Sequence, residues 1–271
     1  VLAVADEGLF KLDDPVANYL PAFDQPLKRD ITIRQAFSMT SGLEECTALS
    51  PSCPTSSNSI TLAQSVQRVA EETDMATAPG TGMYYGSLGM QVAGRVCEVA
   101  TGKDWEQLFQ EKIAVPCGMG NSHYGQGSNP KVGGSLRTSA SDYLKFLDMI
   151  CHSGEANGQQ VLSGEAVAEF FREQAPGTPV LYSPLPANPP HHPYQADTVR
   201  YGFGCWLDVQ QPGTGLAERI SSPGAFGTSP WYARRRNLYG VIFTRSSLQA
   251  TLAHSLHLIA LASEAADNTE G

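Results

Sequence analysis

Three turn-rich stretches of this sequence gather residue types that can do chemistry. APGTGMYYGS (78–87) packs glycines, two tyrosines and a serine immediately before a helical pattern. A helix N-terminus favours negative charge, so polar side chains held there can face a reacting group. KVGGSLRTSASDY (131–143) has a Gly pair closing onto a helix start. SSPGAFG (221–227) ends a strand-like run with Pro223 and Gly224. Proline cannot donate to a ladder, so that strand is an edge or a bulge, and the glycine beside it lets a ligand approach the backbone. Taken singly, each is also ordinary turn chemistry. The six histidines add little. His191 and His192 lie in NPPHHPY with no Asp, Glu or Cys at metal-ligand spacing, and His123, His152, His254 and His257 are scattered. There is no GxSxG elbow, no HExxH and no phosphate-binding Gly loop, so neither a metal nor a cofactor is expected. One Ser-x-x-Lys occurs, Ser128–Lys131, but Pro130 biases Asn129 away from helix, which makes a catalytic pair there unexpected.

The elements that must carry these stretches are mostly helices in the first part of the chain. Val1 to Ala5 is an apolar run without an N-cap, closed by Gly8 and followed by LDDP, which reads as the end of a helix whose first turns are missing. ITIRQAFSMTSGL (31–43) reads as a short helix ending at Gly42. Thr61 with Gln64 makes a capping box for the next, whose apolar face is Leu62, Val66, Val69 and Ala70. Residues 88–102 form a helix with Val92, Val96 and Val99 on one face, and Asp104 starts another to about Ile113. Ser139 and Ser163 open two more. The Pro-rich stretch 176–197 reads as a long surface loop. Strand-like runs follow at 201–209, 217–222, 229–233 and 238–244, with short links that favour antiparallel pairing. A last helix at 248–266 carries Leu248, Leu252, Leu256 and Ile259 on one face. The pattern is an α+β layout in one domain over 1–271: a helical region at about 15–175, the loop, then sheet and terminal helix at 198–266.

Composition excludes several function classes. The 271 residues carry 27 acidic and 18 basic side chains, a net charge of −9, which argues against a nucleic-acid partner. Arg234–Arg236 reads as a short solvated turn. No apolar run approaches the ~18 residues of a membrane span. Among six cysteines, Cys46 and Cys53 stand apart in a polar, Pro-broken segment. Either they form a disulfide that ties down a loop with little apolar material, or they are free thiols. A bridge would imply an oxidising compartment, periplasmic or secreted. Cys97, Cys117, Cys151 and Cys205 sit among apolar neighbours and read as core.

In order along the chain, EGLFKLDDPVANYLPAF, ITIRQAFSMTSGL, PGTGMYYGS, KIAVPCGMG, VGGSLRTSASDYLKFL and SSPGAFG resemble successive landmarks of the beta-lactamase-related serine hydrolases, the group of class C beta-lactamases, DD-peptidases and related esterases. The resemblance runs from residue 1 to about 245 and is nearest to esterase-like members, because the third motif reads Ser-Pro-Gly. It implies an antiparallel sheet flanked by helices beside a mostly helical region, here without the family's N-terminal strands. It also implies a Ser that attacks an acyl carbon, aided by a Lys one turn later. By the same resemblance the motif tyrosine falls on Tyr85, with Tyr84 as a competitor, and the motif asparagine position is held by Ser87. A phenol beside an ammonium has its pKa lowered enough to shuttle protons. Ser222, Pro223 and Gly224 take the third motif, and the Ala225 N–H becomes one oxyanion donor. Ser222 in place of a cation favours a neutral ester or amide over a carboxylate-bearing beta-lactam. The family's Ser-Lys pair would lie about ten residues before Val1.

These implications make the chain a serine hydrolase with its nucleophile upstream. The competing reading is a non-catalytic relative that keeps the fold as a binding or scaffold module, to which Ser87 and Ser222 lend support. Without the family's N-terminal strands, a sheet edge and the apolar face of the last helix would lack partners. The chain alone is therefore expected to be poorly soluble or oligomeric, with no particular oligomeric state implied.

Overall fold

Local capping chemistry sets where most helices begin. In the computed structural model, which describes residues 1–46, 50–185 and 200–267, α1 (Leu2–Asp6) is closed by Gly8 at φ +74°. Capping boxes open α2 (Ile33–Phe37) through Thr32 and Gln35, and α3 (Leu62–Glu72) through Thr61 and Gln64. α4 (Leu88–Thr101) ends at a left-handed Gly102. Asp104 caps α5 (Trp105–Phe109), Ser139 caps α6 (Ala140–Cys151) and Ser163 caps α7 (Gly164–Phe171), each accepting a backbone N–H three residues on. α8 spans Leu248–Asp267.

Several boundaries differ from the sequence reading. The helix expected over 31–43 stops at Phe37, because Met39 turns left-handed at φ +65° and its carbonyl accepts the Tyr84 N–H. The helix from Asp104 gives way to a π-turn over Gln110–Ala114. In α4, Val92 and Val96 are fully buried but Val99, near the end of the helix, is 41% exposed.

The strands place helices and sheet around one set of turns. β1 (Met83–Tyr84) pairs in parallel with β4 (Val180–Tyr182), so the stretch read as a long surface loop over 176–197 contains a strand. The rest of that loop from 186 on, with His191 and His192, lies outside the described residues. β2 (Glu155–Ala156) and β3 (Gln159–Gln160) form a small hairpin that the sequence did not signal. The main sheet is antiparallel in the order β5 (Trp206–Gln210), β6 (Ala217–Ser221), β7 (Ser229–Ala233) and β8 (Leu238–Ile242).

Alternation along β7 puts its two faces on different helices. Trp231 and Ala233 pack with Ile259 of α8, while Tyr232 packs with Met149 and Ile150 of α6 and with Phe171 of α7. The sheet is therefore sandwiched by helices, the α+β arrangement the sequence implied. Leu248, Leu252, Leu256 and Ile259 are all buried, each contributing about 2 kcal/mol of apolar transfer. Across the sheet, the buried Asp208 carboxylate accepts from Ser221 Oγ at 2.7 Å and pairs with Arg219 at 3.2 Å, which pins the end of β6 that leads into Ser222. Arg234–Arg236 does form the turn between β7 and β8, with the Arg234 guanidinium over the Phe171 ring and Arg236 paired with Asp267. No described helix is long and apolar enough to cross a membrane.

Candidate active site

The three turn-rich stretches converge on one cavity of about 1000 Å³. Tyr85 comes from the first, Gly133 and Gly134 from the second, and Gly224 with Ala225 from the third. Val1 to Val4 of the α1 segment line the same wall. The charged side chains lining it are Lys112, Arg137 and Arg245; Lys112 is paired with Glu7.

Tyr85 is held by aromatic packing rather than by charge. It follows β1, its N–H donates to the Tyr182 carbonyl at 3.1 Å, and its ring stacks on Trp206 with centroids 5.0 Å apart. Tyr201 meets the same ring edge-on at 5.9 Å. Burial pushes the phenol pKa up, opposite to the lowering expected beside an ammonium. The reason is physical: desolvation disfavours the phenolate, and among the described residues no cation offsets it. Tyr84, the competing tyrosine, points to Tyr182 instead, with ring centroids 5.3 Å apart, and is absent from the cavity wall.

Ser87 occupies the N-cap position of α4 but makes no capping bond, and its Oγ is buried without a hydrogen-bond partner among the described residues. Glu45 takes over the cap. Its carboxylate accepts the N–H of Leu88 at 3.0 Å and of Gly89 at 3.4 Å. Burial raises the Glu45 pKa from 4.5 to about 7, a rise that the N–H groups of Leu88, Gly89 and Ser87 partly oppose. Sequence reasoning missed Glu45, since its partners lie 43 and 44 residues away.

The third stretch forms a tight turn. Gly224 N–H donates to Thr228 O at 2.7 Å, and Gly227 at φ +86° closes the turn onto the Gly224 carbonyl. A Cβ on Gly227 would meet Thr244 Oγ1 at 2.3 Å, so the close approach requires glycine. The Ala225 carbonyl accepts from Leu248, but its N–H has no acceptor among the described residues. Ser222 donates its N–H to Pro230 O at 3.1 Å and does not line the cavity.

The Ser128–Lys131 sequence is a structural tie. Ser128 Oγ donates to Ile60 O at 3.0 Å, and Lys131 Nζ donates to Ser57 O at 3.2 Å and to Thr55 O. Cys46 and Cys53 form the disulfide, with Cα atoms 5.7 Å apart, so the free-thiol alternative falls. Cys97, Cys117 and Cys205 are buried thiols, and Cys151 is partly exposed. Among the described residues no group of three or more His, Cys, Asp or Glu side chains could hold a metal ion.

The family model described as Beta-lactamase matches residues 1–263. The chain is 26% identical to penicillin-binding protein 4 of Amycolatopsis lactamdurans, over 89% of this chain and 72% of that protein. Its structure is similar to that of a presumed beta-lactamase from Bacteroides dorei DSM 17855, with a TM-score of 0.76 and 36% identity, covering 88% of this chain and 71% of the other. A family VIII carboxylesterase shares the fold at TM-score 0.67 and 19% identity, covering 90% of this chain and 73% of the other.

Proposed function

The chain belongs to the beta-lactamase family of serine hydrolases, and from that premise we propose that it opens a small ester or amide through an acyl-enzyme. In this proposal the nucleophilic Ser and its Lys precede Val1, in the order of the family's motifs. The observation that carries this reading is the cavity wall. It brings the Tyr85 ring, the unengaged Ala225 N–H and the first residues of α1 to one space of about 1000 Å³. Ser87, at the motif's asparagine position, does not line that cavity, and its buried Oγ has no hydrogen-bond partner among the described residues.

In the proposed reaction the Ser Oγ attacks the acyl carbon while its proton passes to the Lys–Tyr85 pair. The Ala225 N–H and the nucleophile's own N–H stabilise the oxyanion. Tyr85 returns the proton to the leaving oxygen or nitrogen, and water then hydrolyses the acyl-enzyme. An ammonium beside Tyr85 would draw its pKa back down from the raised value that burial imposes. Ser222 does not line the cavity whereas Arg137 and Arg245 do, so neutral and carboxylate-bearing esters are the informative comparison.

The test is the full-length protein with a fluorophosphonate probe and short-chain nitrophenyl esters, neutral and carboxylate-bearing. Covalent labelling of a serine upstream of Val1 with matching turnover is expected. A full-length reading frame without an upstream Ser-x-x-Lys, or absence of both labelling and turnover, refutes it. That outcome favours the second reading, a non-catalytic binding or scaffold relative, to which Ser87 and Ser222 in place of the motif's Asn and cation lend support.

A further inference from the structure

Helix α4 begins one residue after the turn that carries Tyr85 and Ser87, so whatever fixes its first turn also fixes that pair. A serine at the N-cap normally spends its hydroxyl on the N–H two or three residues ahead. Here Ser87 does not, and a carboxylate from a distant segment satisfies Leu88 and Gly89 instead.

The fit is close. A Cβ on Gly86 would lie 2.0 Å from Glu45 Oε2 and 2.2 Å from its Cδ. Gly86 has no left-handed φ, so glycine is required there by proximity to the carboxylate and not by backbone conformation. The segment that carries Glu45 is itself anchored. Cys46, the next residue, is bridged to buried Cys53, whose Sγ contacts Thr55 Oγ1 at 3.3 Å. The Thr55 carbonyl accepts from Asn129 and Lys131, and Asn129 Oδ1 accepts from Gln91 Nε2 at 2.9 Å. Gln91 is on α4, one turn beyond Ser87, and its Oε1 accepts the Val132 N–H at 2.9 Å beside the cavity-lining Gly133. A chain of bonds thus runs from the start of α4, through Glu45 and the disulfide, back to α4.

We propose that Glu45 is a positioning residue for the reaction: by capping α4 in place of Ser87, it fixes the turn that presents Tyr85 to the cavity. This rests on the hydrolase reading above. Ionised, the carboxylate accepts strongly from the α4 amides; protonated, it offers them less, so the turn loosens as Glu45 takes up a proton. No charged side chain among the described residues faces it, and its titration is governed by burial against the Ser87, Leu88 and Gly89 N–H groups.

The experiment compares the full-length protein with its Glu45→Gln variant. A glutamine oxygen can keep one of the two amides but not both, so exchange at Leu88 or Gly89 should quicken about tenfold. The acylation rate should fall by a similar factor with KM little changed, and the inflection that Glu45 places near pH 7 in the rate profile should vanish. Unchanged amide exchange together with an unchanged rate profile overturns the proposal. If Glu45→Gln does not fold, the wild-type amide shifts of Leu88 and Gly89 must follow one titration with a midpoint near 7, and their failure to do so overturns it equally. A wild-type protein that neither labels nor turns over refutes the hydrolase reading alone, because the two amides still report on the cap.

Discussion

Replacing Glu45 with glutamine should change how the stability of the protein depends on pH, in a direction the structure fixes. The carboxyl is buried, and its pKa rises from 4.5 to about 7 on folding. Between those values the native state holds a proton that the unfolded state has released, so stability falls as pH rises across the window. Below about 4.5 both states are protonated and Glu45 costs nothing; above about 7 both are ionised and the full cost is present. The rise, at about 1.4 kcal/mol per pKa unit, amounts to about 3 kcal/mol. Glutamine never ionises, so the variant avoids this cost while bearing a pH-independent loss for its poorer cap. The stability of Glu45→Gln minus that of the wild type should therefore climb by about 3 kcal/mol from pH 4 to pH 8. Denaturant unfolding of both proteins at half-unit pH steps reads this directly, and the corresponding change in the Tm difference is roughly 6–12 °C. Groups that titrate in both proteins, such as Asp13 and Asp142, cancel in the subtraction. A difference that stays flat from pH 4 to pH 8 would refute the argument that Glu45 is charged within a desolvated pocket.

Three further outcomes are expected. Tyr85→Phe in the full-length protein should lower kcat for a nitrophenyl ester by about 10²–10⁴-fold, while Tm stays nearly constant because the ring stacked on Trp206 remains; equal activity would remove Tyr85 from proton transfer. Ala225→Pro deletes the unengaged N–H but keeps the carbonyl that accepts from Leu248, so acylation should drop about 10²–10³-fold with probe binding retained. Converting Cys46 and Cys53 together to serine opens a loop of sequence separation 7, which should cost about 2.5 kcal/mol in denaturant unfolding; a Tm unmoved by reductant would contradict it.

The features legible in the sequence are those whose cause is local. Thr61 with Gln64, Ser139 and Ser163 start helices because a side chain meets a backbone N–H three residues on. Gly102 ends one by adopting a left-handed conformation that other residues resist. Leu248, Leu252, Leu256 and Ile259 share a face by helical period alone. The Cys46–Cys53 bridge closes a short loop, so the pairing was open to sequence reasoning but not decided by it. Met39, a non-glycine residue at φ +65°, carries no such signal, and the helix read through to Gly42 stops short of it. β4 is equally silent in sequence, because three residues become a strand only when Met83 and Tyr84 lie alongside.

The sequence by itself therefore determined the α+β layout, the capped helices and the three turns able to carry chemistry. Tertiary structure alone decided that these turns share one cavity, that Tyr85 rather than Tyr84 lines it, and that Glu45 rather than Ser87 caps α4. The physical reason is range. Caps and helical faces are written within a few residues, whereas desolvation of a carboxylate and the facing of a ring depend on groups tens of residues away that only packing brings together.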